Sequence, residues 1–394
     1  MKVAFVVQRY GLEVNGGSEF LCRLIAERMA RHWDLEILTS CAIHYTTWAN
    51  VYSPGISQVN GIAVRRFNVD FPRTKILFDR ISEAVYSEKS TLPLQYQWAR
   101  EQGPYSSDFL RFLEKNGGDF DLFFFFTYLY GFTFFGLPKV ANRSVLISTA
   151  HDEPSFHLPI YKALFSRPKG LLFQTKEESD LVMEKYNLST PHEIVSVGVD
   201  DPGDIDCAKF WTHFQGRIKG SYLLYLGRID ESKGCDELFS FFIRYRKNHP
   251  FQEIQLILIG KSVMAIPDHP DLCHLGFLDE SFKYAALAGA KVLMMPSAYE
   301  SLSLVTLEAW SVGTPVLMSR KSKVLEGQRI RSNGGLSYES YEEFEDGLHC
   351  LLADDGLGKK LGTLGREYVR TNYRWGQVEK SYLGWADRIL NRVI

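Results

Sequence analysis

Short apolar runs, fenced by Gly, Pro, Asp and Ser, recur along the chain with helix-length amphipathic stretches between them. In the first half these runs predict strands at Lys2–Val7, Leu35–Thr39, Ile62–Phe67, Leu122–Phe126, Val145–Ser148, Gly170–Gln174 and Ile194–Val197. A second series follows at Tyr222–Leu226, Ile254–Ile259, Lys291–Met295 and Val316–Met318. Strand alternating with helix predicts an α/β protein built from Rossmann-like βαβ units. The link V-S-V-G-V-D-D-P-G-D, Val195–Asp204, ends one series before the next begins, so the predicted domains are residues 1–200 and 201–375. From Tyr341 onward the pattern is helical, with Tyr373, Trp375, Tyr382, Leu383 and Trp385 supplying its apolar side, and residues 376–394 form a last helix.

Two stretches break the alternation. Leu122–Pro138 carries no charge, but it is short for a membrane span and is interrupted by Gly131, Gly136 and Pro138. A buried strand, a turn at Gly131 and a half-buried helix are expected instead. Phe71–Gly103 mixes aromatic and basic residues, among them Arg73, Lys75, Phe78, Arg80, Tyr86, Tyr96 and Trp98. It admits three uses: an amphipathic helical insertion, one wall of an acceptor groove, or peripheral contact with anionic headgroups on the inner membrane face.

Composition narrows the function. The 394 residues suffice for two cores, and 45 basic against 47 acidic residues leave no global field for nucleic acid. Six cysteines, Cys22, Cys41, Cys207, Cys235, Cys273 and Cys350, show no metal-ligand spacing and fit free thiols in a reducing cytosol. The opening M-K-V-A-F-V-V-Q-R-Y turns polar too soon for a signal peptide, so a cytoplasmic location is expected.

The candidate chemistry centres on Met295–Pro315, M-P-S-A-Y-E-S-L-S-L-V-T-L-E-A-W-S-V-G-T-P. A buried strand ends at Pro296, and a Ser-rich turn opens a helix that Gly313 and Pro315 close. The free N–H groups from Ser301 through Leu302 and Ser303 to Leu304, with the positive end of the helix dipole, attract an anion such as phosphate. Glu300 stands in the turn and Glu308 about two turns into the helix, so both can address one ligand. Carboxylates accept from paired hydroxyls, and a diphosphate at the helix end with one Glu on a sugar and one on a ribose describes a nucleotide-sugar. Taken alone, the two are equally well a solvated turn residue and a residue suited to the helix dipole. After the strand Tyr222–Leu226, the loop L-G-R-I-D-E-S-K-G places Arg228 and Lys233 where two cations can neutralise a pyrophosphate. Near the amino end, Gly16 and Gly17 precede a helix and let the backbone approach a ligand. That loop is not G-x-G-x-x-G, so a dinucleotide oxidoreductase loses support. His151, with Asp152 and Glu153, follows a strand whose carboxyl end borders a ligand crevice. Asp119 with Asp121 and Asp204 with Asp206 form D-x-D tripeptides too short to carry weight, and no metal site is expected.

The E-x7-E segment, with P-S before it and E-A and G-T-P-V after, resembles the donor-site element of the family 4 glycosyltransferases, and the resemblance runs along nearly the whole chain. One departure is Ser301, where many members have Gly. The resemblance implies the GT-B fold, two Rossmann-like domains facing each other across a cleft, with the last helix crossing back to the first domain. It implies a retaining, metal-independent transferase that moves a sugar from a UDP- or GDP-sugar to a glycan or glycolipid hydroxyl, as in bacterial cell-surface polysaccharide synthesis. In that pattern Arg228 and Lys233 hold the donor phosphates, Gly16 and Gly17 approach the diphosphate, and His151 lies beside the donor sugar. The backbone near Leu275 meets the base. Two alternatives remain: a GT-B epimerase or phosphorylase, and a non-catalytic nucleotide-sugar binding subunit.

Overall fold

A computed structural model describes residues 1–14, 16–88 and 90–391. The chain divides into two compact units, one made of Met1–Val197 with Gly376–Ile394 and the other of Gly198–Trp375.

The first unit is built on an eight-stranded sheet: β1 (Lys2–Val6), β2 (Asp34–Ser40), β3 (Gly55–Val59), β4 (Ile62–Phe67), β5 (Leu122–Phe126), β6 (Ser144–Ile147), β7 (Gly170–Phe173) and β8 (His192–Ile194), in the order β3-β4-β2-β1-β5-β6-β7-β8. All neighbours are parallel except the β3–β4 hairpin. At its centre β5, L-F-F-F-F, is buried at every position, as a strand covered by helices on both faces must be. The uncharged stretch after it resolves into that strand and a short helix, Gly131–Gly136. Among the described residues no helix is long and apolar enough to cross a membrane.

Strand prediction fails at the edges. β3 is exposed along most of its length and pairs only with β4, so its residues carry no burial pattern. β8 pairs at His192–Ile194 rather than at the more apolar Ile194–Val197, because its register is set by Leu171, Leu172 and Phe173 of β7. The irregular stretch from Phe71 to Gly103 forms two helices, Lys75–Val85 and Leu92–Gln102. They pack around Trp98, whose ring stacks 6.0 Å from Phe78 and whose indole N–H donates to Ser82.

The helix Trp375–Leu390 completes the first unit. Tyr382 sits 6.0 Å from Phe124 of β5, the Trp385 ring covers Gly170 at the start of β7, and His32 meets Glu379 at 2.9 Å.

The second unit carries β9 (Tyr222–Leu226), β10 (Gln255–Ile259), β11 (Leu272–Gly276), β12 (Val292–Met295), β13 (Val316–Ser319) and β14 (Gly335–Tyr338), all parallel, in the order β11-β10-β9-β12-β13-β14. This is the doubly wound order in which the chain reverses direction between its first and fourth strands, here β9 and β12. Ligands of such sheets bind outside the carboxyl ends at that reversal. The edge strands β11 and β14 were not legible as strands, being short and half-exposed or glycine-led.

Candidate functional site

In the second unit the two loops at the reversal point are locked together. After β9 the chain passes Gly227, Arg228, Ile229 and Asp230 into a 3-10 turn, Glu231–Lys233, and then the helix Cys235–Asn248. Gly234 joins turn to helix with φ 74°, and an added Cβ would run into the Pro296 carbonyl at the end of β12. Lys233 Nζ bonds Glu300 Oε1 at 2.7 Å and reaches the Tyr299 carbonyl at 3.4 Å, so the predicted phosphate lysine and the predicted sugar carboxylate are brought together. Arg228 does not stand alone either: its Nε lies 3.0 Å from Asp230 Oδ2. Burial works against ionisation of Asp230, but hydrogen bonds from Ser232 and the charges of Arg228 and Lys233 outweigh it and hold the carboxyl below its usual value. The two cations predicted to meet a pyrophosphate are thus each paired with a carboxylate.

The helix after β12 also differs from expectation. It runs only over Leu304–Ser311, so Glu308 is its fifth residue, little more than one turn in. Ser301 and Leu302 precede the helix, and Ser303 adopts a left-handed φ of 63° at its start, its hydroxyl 2.9 Å from that of Thr306. The amino-end groups therefore begin at Leu304 rather than Ser301. The Leu302 carbonyl accepts from the Gln328 side chain, which ties down the turn. Glu308 is buried and bonds Lys283 Nζ at 2.8 Å. Burial raises its carboxyl above the ordinary value although Lys283 pulls the other way. Lys283 lies on the helix Glu280–Gly289, 25 residues from its partner, and no local motif marks it.

Leu275 is in β11, its side chain buried, while Phe277 beyond it is largely exposed. The Gly276 carbonyl accepts from the Gly260 N–H at 2.8 Å, and the His274 ring meets the Gly260 carbonyl at 2.7 Å, joining the ends of β10 and β11. The D-x-D residues have structural work: Asp121 accepts from the Lys2 N–H at 2.7 Å, and Asp206 caps the helix Cys207–His213. Among the described residues there is no group of three His, Cys, Asp or Glu side chains that could hold a metal ion.

In the first unit, Gly16 and Gly17 open the helix Gly17–Met29. A Cβ on Gly16 would collide with Glu19, whereas one on Gly17 would meet open space, so only Gly16 is needed for room. Glu19 is buried against Arg9, which donates to it at 2.8 Å through Nε and to the Ile43 carbonyl at 2.6 Å. His151 follows β6 through a turn in which Thr149 has φ 45°. Its Nδ1 stands 3.6 Å from Glu153 Oε1, and Glu153 in turn accepts from the Tyr128 hydroxyl at 2.7 Å. Glu153, not Asp152, is therefore the carboxylate that accompanies His151; Asp152 pairs with His157 at 2.6 Å. Tyr128 and Lys283 were missed by sequence reasoning because each is joined to its site by the fold, not by spacing.

Residues 220–354 match the model of the family described as Glycosyl transferases group 1. An uncharacterised glycosyltransferase of Methanocaldococcus jannaschii is 26% identical over 40% of this chain and 42% of its own length. The glycogen synthase of Mycobacterium tuberculosis is 31% identical over 40% of each chain. The chain thus spans about two fifths of these curated relatives. Among solved structures, the sucrose-phosphate synthase of Thermosynechococcus elongatus aligns over 100% of both chains with a TM-score of 0.71 at 16% identity. An Anabaena protein in complex with UDP-glucose aligns over 98% of this chain and 99% of its own, with a TM-score of 0.70 at 13% identity. Residues 220–354, which hold the loops at the β9–β12 reversal, thus carry the pattern of the glycosyl transferases group 1 family, and the two Rossmann-like units of the chain have the GT-B fold.

Proposed function

We propose that the protein transfers a sugar, with retention of anomeric configuration, from a nucleoside diphosphate sugar to the hydroxyl of a glycan or glycolipid. The observation that carries this reading is the meeting of Lys233 with Glu300 at the carboxyl ends of β9 and β12, beside Arg228 and the amino end of the helix Leu304–Ser311. On donor binding, Lys233 exchanges Glu300 for a phosphate oxygen, and the released carboxylate accepts from the sugar hydroxyls. Glu308 serves the ribose, and His151 the donor sugar. The bond from C1 to the phosphate oxygen breaks, the acceptor oxygen bonds C1 on the same face, and the hydroxyl proton goes to the departing phosphate. Arg228, Lys233 and the helix N–H groups face the charge that grows on the leaving group, so they stabilise the transition state more than the ground state and no divalent metal is needed.

A UDP-sugar is the first donor to try, since the Anabaena neighbour binds UDP-glucose. Stabilisation by UDP, GDP and ADP in a thermal-shift series identifies the base, because a ligand of the native state raises the apparent melting temperature. Turnover of the matching nucleotide sugar in excess chelator, with the product anomer read by NMR, then tests transfer, metal independence and stereochemistry. Stabilisation without turnover on any glycan acceptor would leave a binding subunit. No stabilisation by any nucleoside diphosphate would sink the reading. Cell-surface polysaccharide or glycolipid synthesis on the cytoplasmic side of a membrane, with peripheral membrane contact, is the setting this activity would fit.

A further inference from the structure

We infer that Glu178 is the positioning residue for His151: its carboxylate grips the backbone turn that carries the imidazole. The inference rests on the proposed role of His151, and its geometry is independent of that role. Glu178 is the third residue of the helix Lys176–Tyr186, and Thr175 before it accepts from the Glu178 N–H, so the pair begins as an ordinary capping box. A capping glutamate needs only to reach back to the start of its own helix. This one does so through Oε2, which accepts from the Gln174 N–H at 2.6 Å. Oε1 instead crosses to the end of β6, where it accepts from the Ala150 N–H at 2.7 Å and from the Ser148 hydroxyl.

The two gripped residues flank Thr149, a β-branched residue held at φ 45°, a conformation that persists only where its surroundings impose it. His151 is the next residue after the grip. Downstream, the Glu153 N–H bonds the His151 carbonyl at 2.8 Å, and Glu153 itself is fixed by Tyr128. The imidazole is therefore carried on a turn anchored at both ends. Glu178 is 1% exposed and, among the described residues, forms no ion pair. Capping alone does not account for burying a carboxylate so deeply. Facing it is Tyr382 of the last helix, with Cys22 and the Gln174 side chain near that phenol. Burial pushes the Glu178 carboxyl up to about 7, against the pull of its hydrogen bonds, so the grip weakens on acidification through neutrality.

The test uses the full chain and reads His151 directly. In Glu178→Gln, the imidazole NMR signals of His151 and their titration midpoint should move, while Thr175→Ala, which weakens the cap alone, leaves them in place. With UDP-glucose as donor, UDP release by Glu178→Gln should fall about tenfold to 10²-fold with little change in donor KM. The wild-type rate should decline below neutral pH, and that of Glu178→Gln should lack this decline. If Glu178→Gln fails to fold, Ser148→Ala, which removes one donor, must shift the same ring signals. An unshifted His151 ring in a folded Glu178→Gln protein overturns the assignment. A wild type without UDP release counts against the transferase reading instead, and the ring signals still decide the positioning role.

Discussion

The cation cluster of the second unit and the turn that carries His151 in the first are built on opposite principles. In the second unit three cations are each met by a carboxylate: Arg228 by Asp230, Lys233 by Glu300 and Lys283 by Glu308. Around His151 in the first unit, Glu178 and Glu153 take hydrogen bonds mostly from neutral donors, namely backbone N–H groups, Ser148 and Tyr128. A charge pair can release one partner to a ligand and accept a phosphate or hydroxyl in its place. A carboxylate sunk among neutral donors has nothing to exchange and holds shape. The difference separates a cluster built to trade partners from a turn built to keep still.

The largest effect should come from breaking a buried pair. Glu308→Ala takes from Lys283 its buried partner and leaves it the exposed Glu280 at 3.5 Å, and should cost up to about 3 kcal/mol of stability. Replacing both residues, Glu308→Leu with Lys283→Met, should recover most of that loss in denaturant unfolding while nucleotide binding stays weak by calorimetry. Full binding by the double variant would show the pair to be architecture rather than a ribose site. Next, Arg228→Ala should lower kcat on the order of 10²-fold with a smaller change in donor KM. A raised KM at unchanged kcat would mean that Arg228 serves the ground state only.

Third, the first unit should show a pH signature of its neutral-donor design. Glu178 has a folded-state value of about 7 against an ordinary 4.5, so between these values the folded protein holds a proton that the unfolded chain has released. This contribution to stability is complete below pH 4.5 and is lost as pH rises through 7, at up to about 1.4 kcal/mol per pH unit inside the window. Unfolding curves of wild type and Glu178→Gln should therefore diverge across that window, and parallel curves would remove the signature. The smallest contrast lies at the first helix: Gly16→Ala should destabilise by about 1–3 kcal/mol through collision with Glu19, whereas Gly17→Ala should change stability by less than about 0.5 kcal/mol. Equal losses at the two positions would mean that backbone freedom, not room, selects glycine there.

These contrasts also explain what could be read from sequence. Central strands such as β5 and β9 were legible because burial on both faces leaves an unbroken apolar run. The edge strands β3, β11 and β14 were not, since pairing rather than burial makes them strands. Arg228, Lys233, Glu300 and Glu308 stood out because a βα loop and a helix start compress them into short spacings. The pairing of Glu308 with Lys283 was hidden, as was the grip of Glu178 on a turn 28 residues earlier, because only the tertiary fold brings such partners together.

The first unit takes its last helix from the far end of the chain, and this sets an order in time. During synthesis Val197 emerges well before Gly376, a delay of roughly ten to forty seconds at ordinary elongation rates. Through that interval Phe124 and the small surface at Gly170 lack their covers, Tyr382 and Trp385. The second unit, continuous in the chain, can close first. The first half of the protein to be made is thus the last to be finished, and it waits with an aromatic face open to whatever chaperone or neighbouring nascent chain meets it.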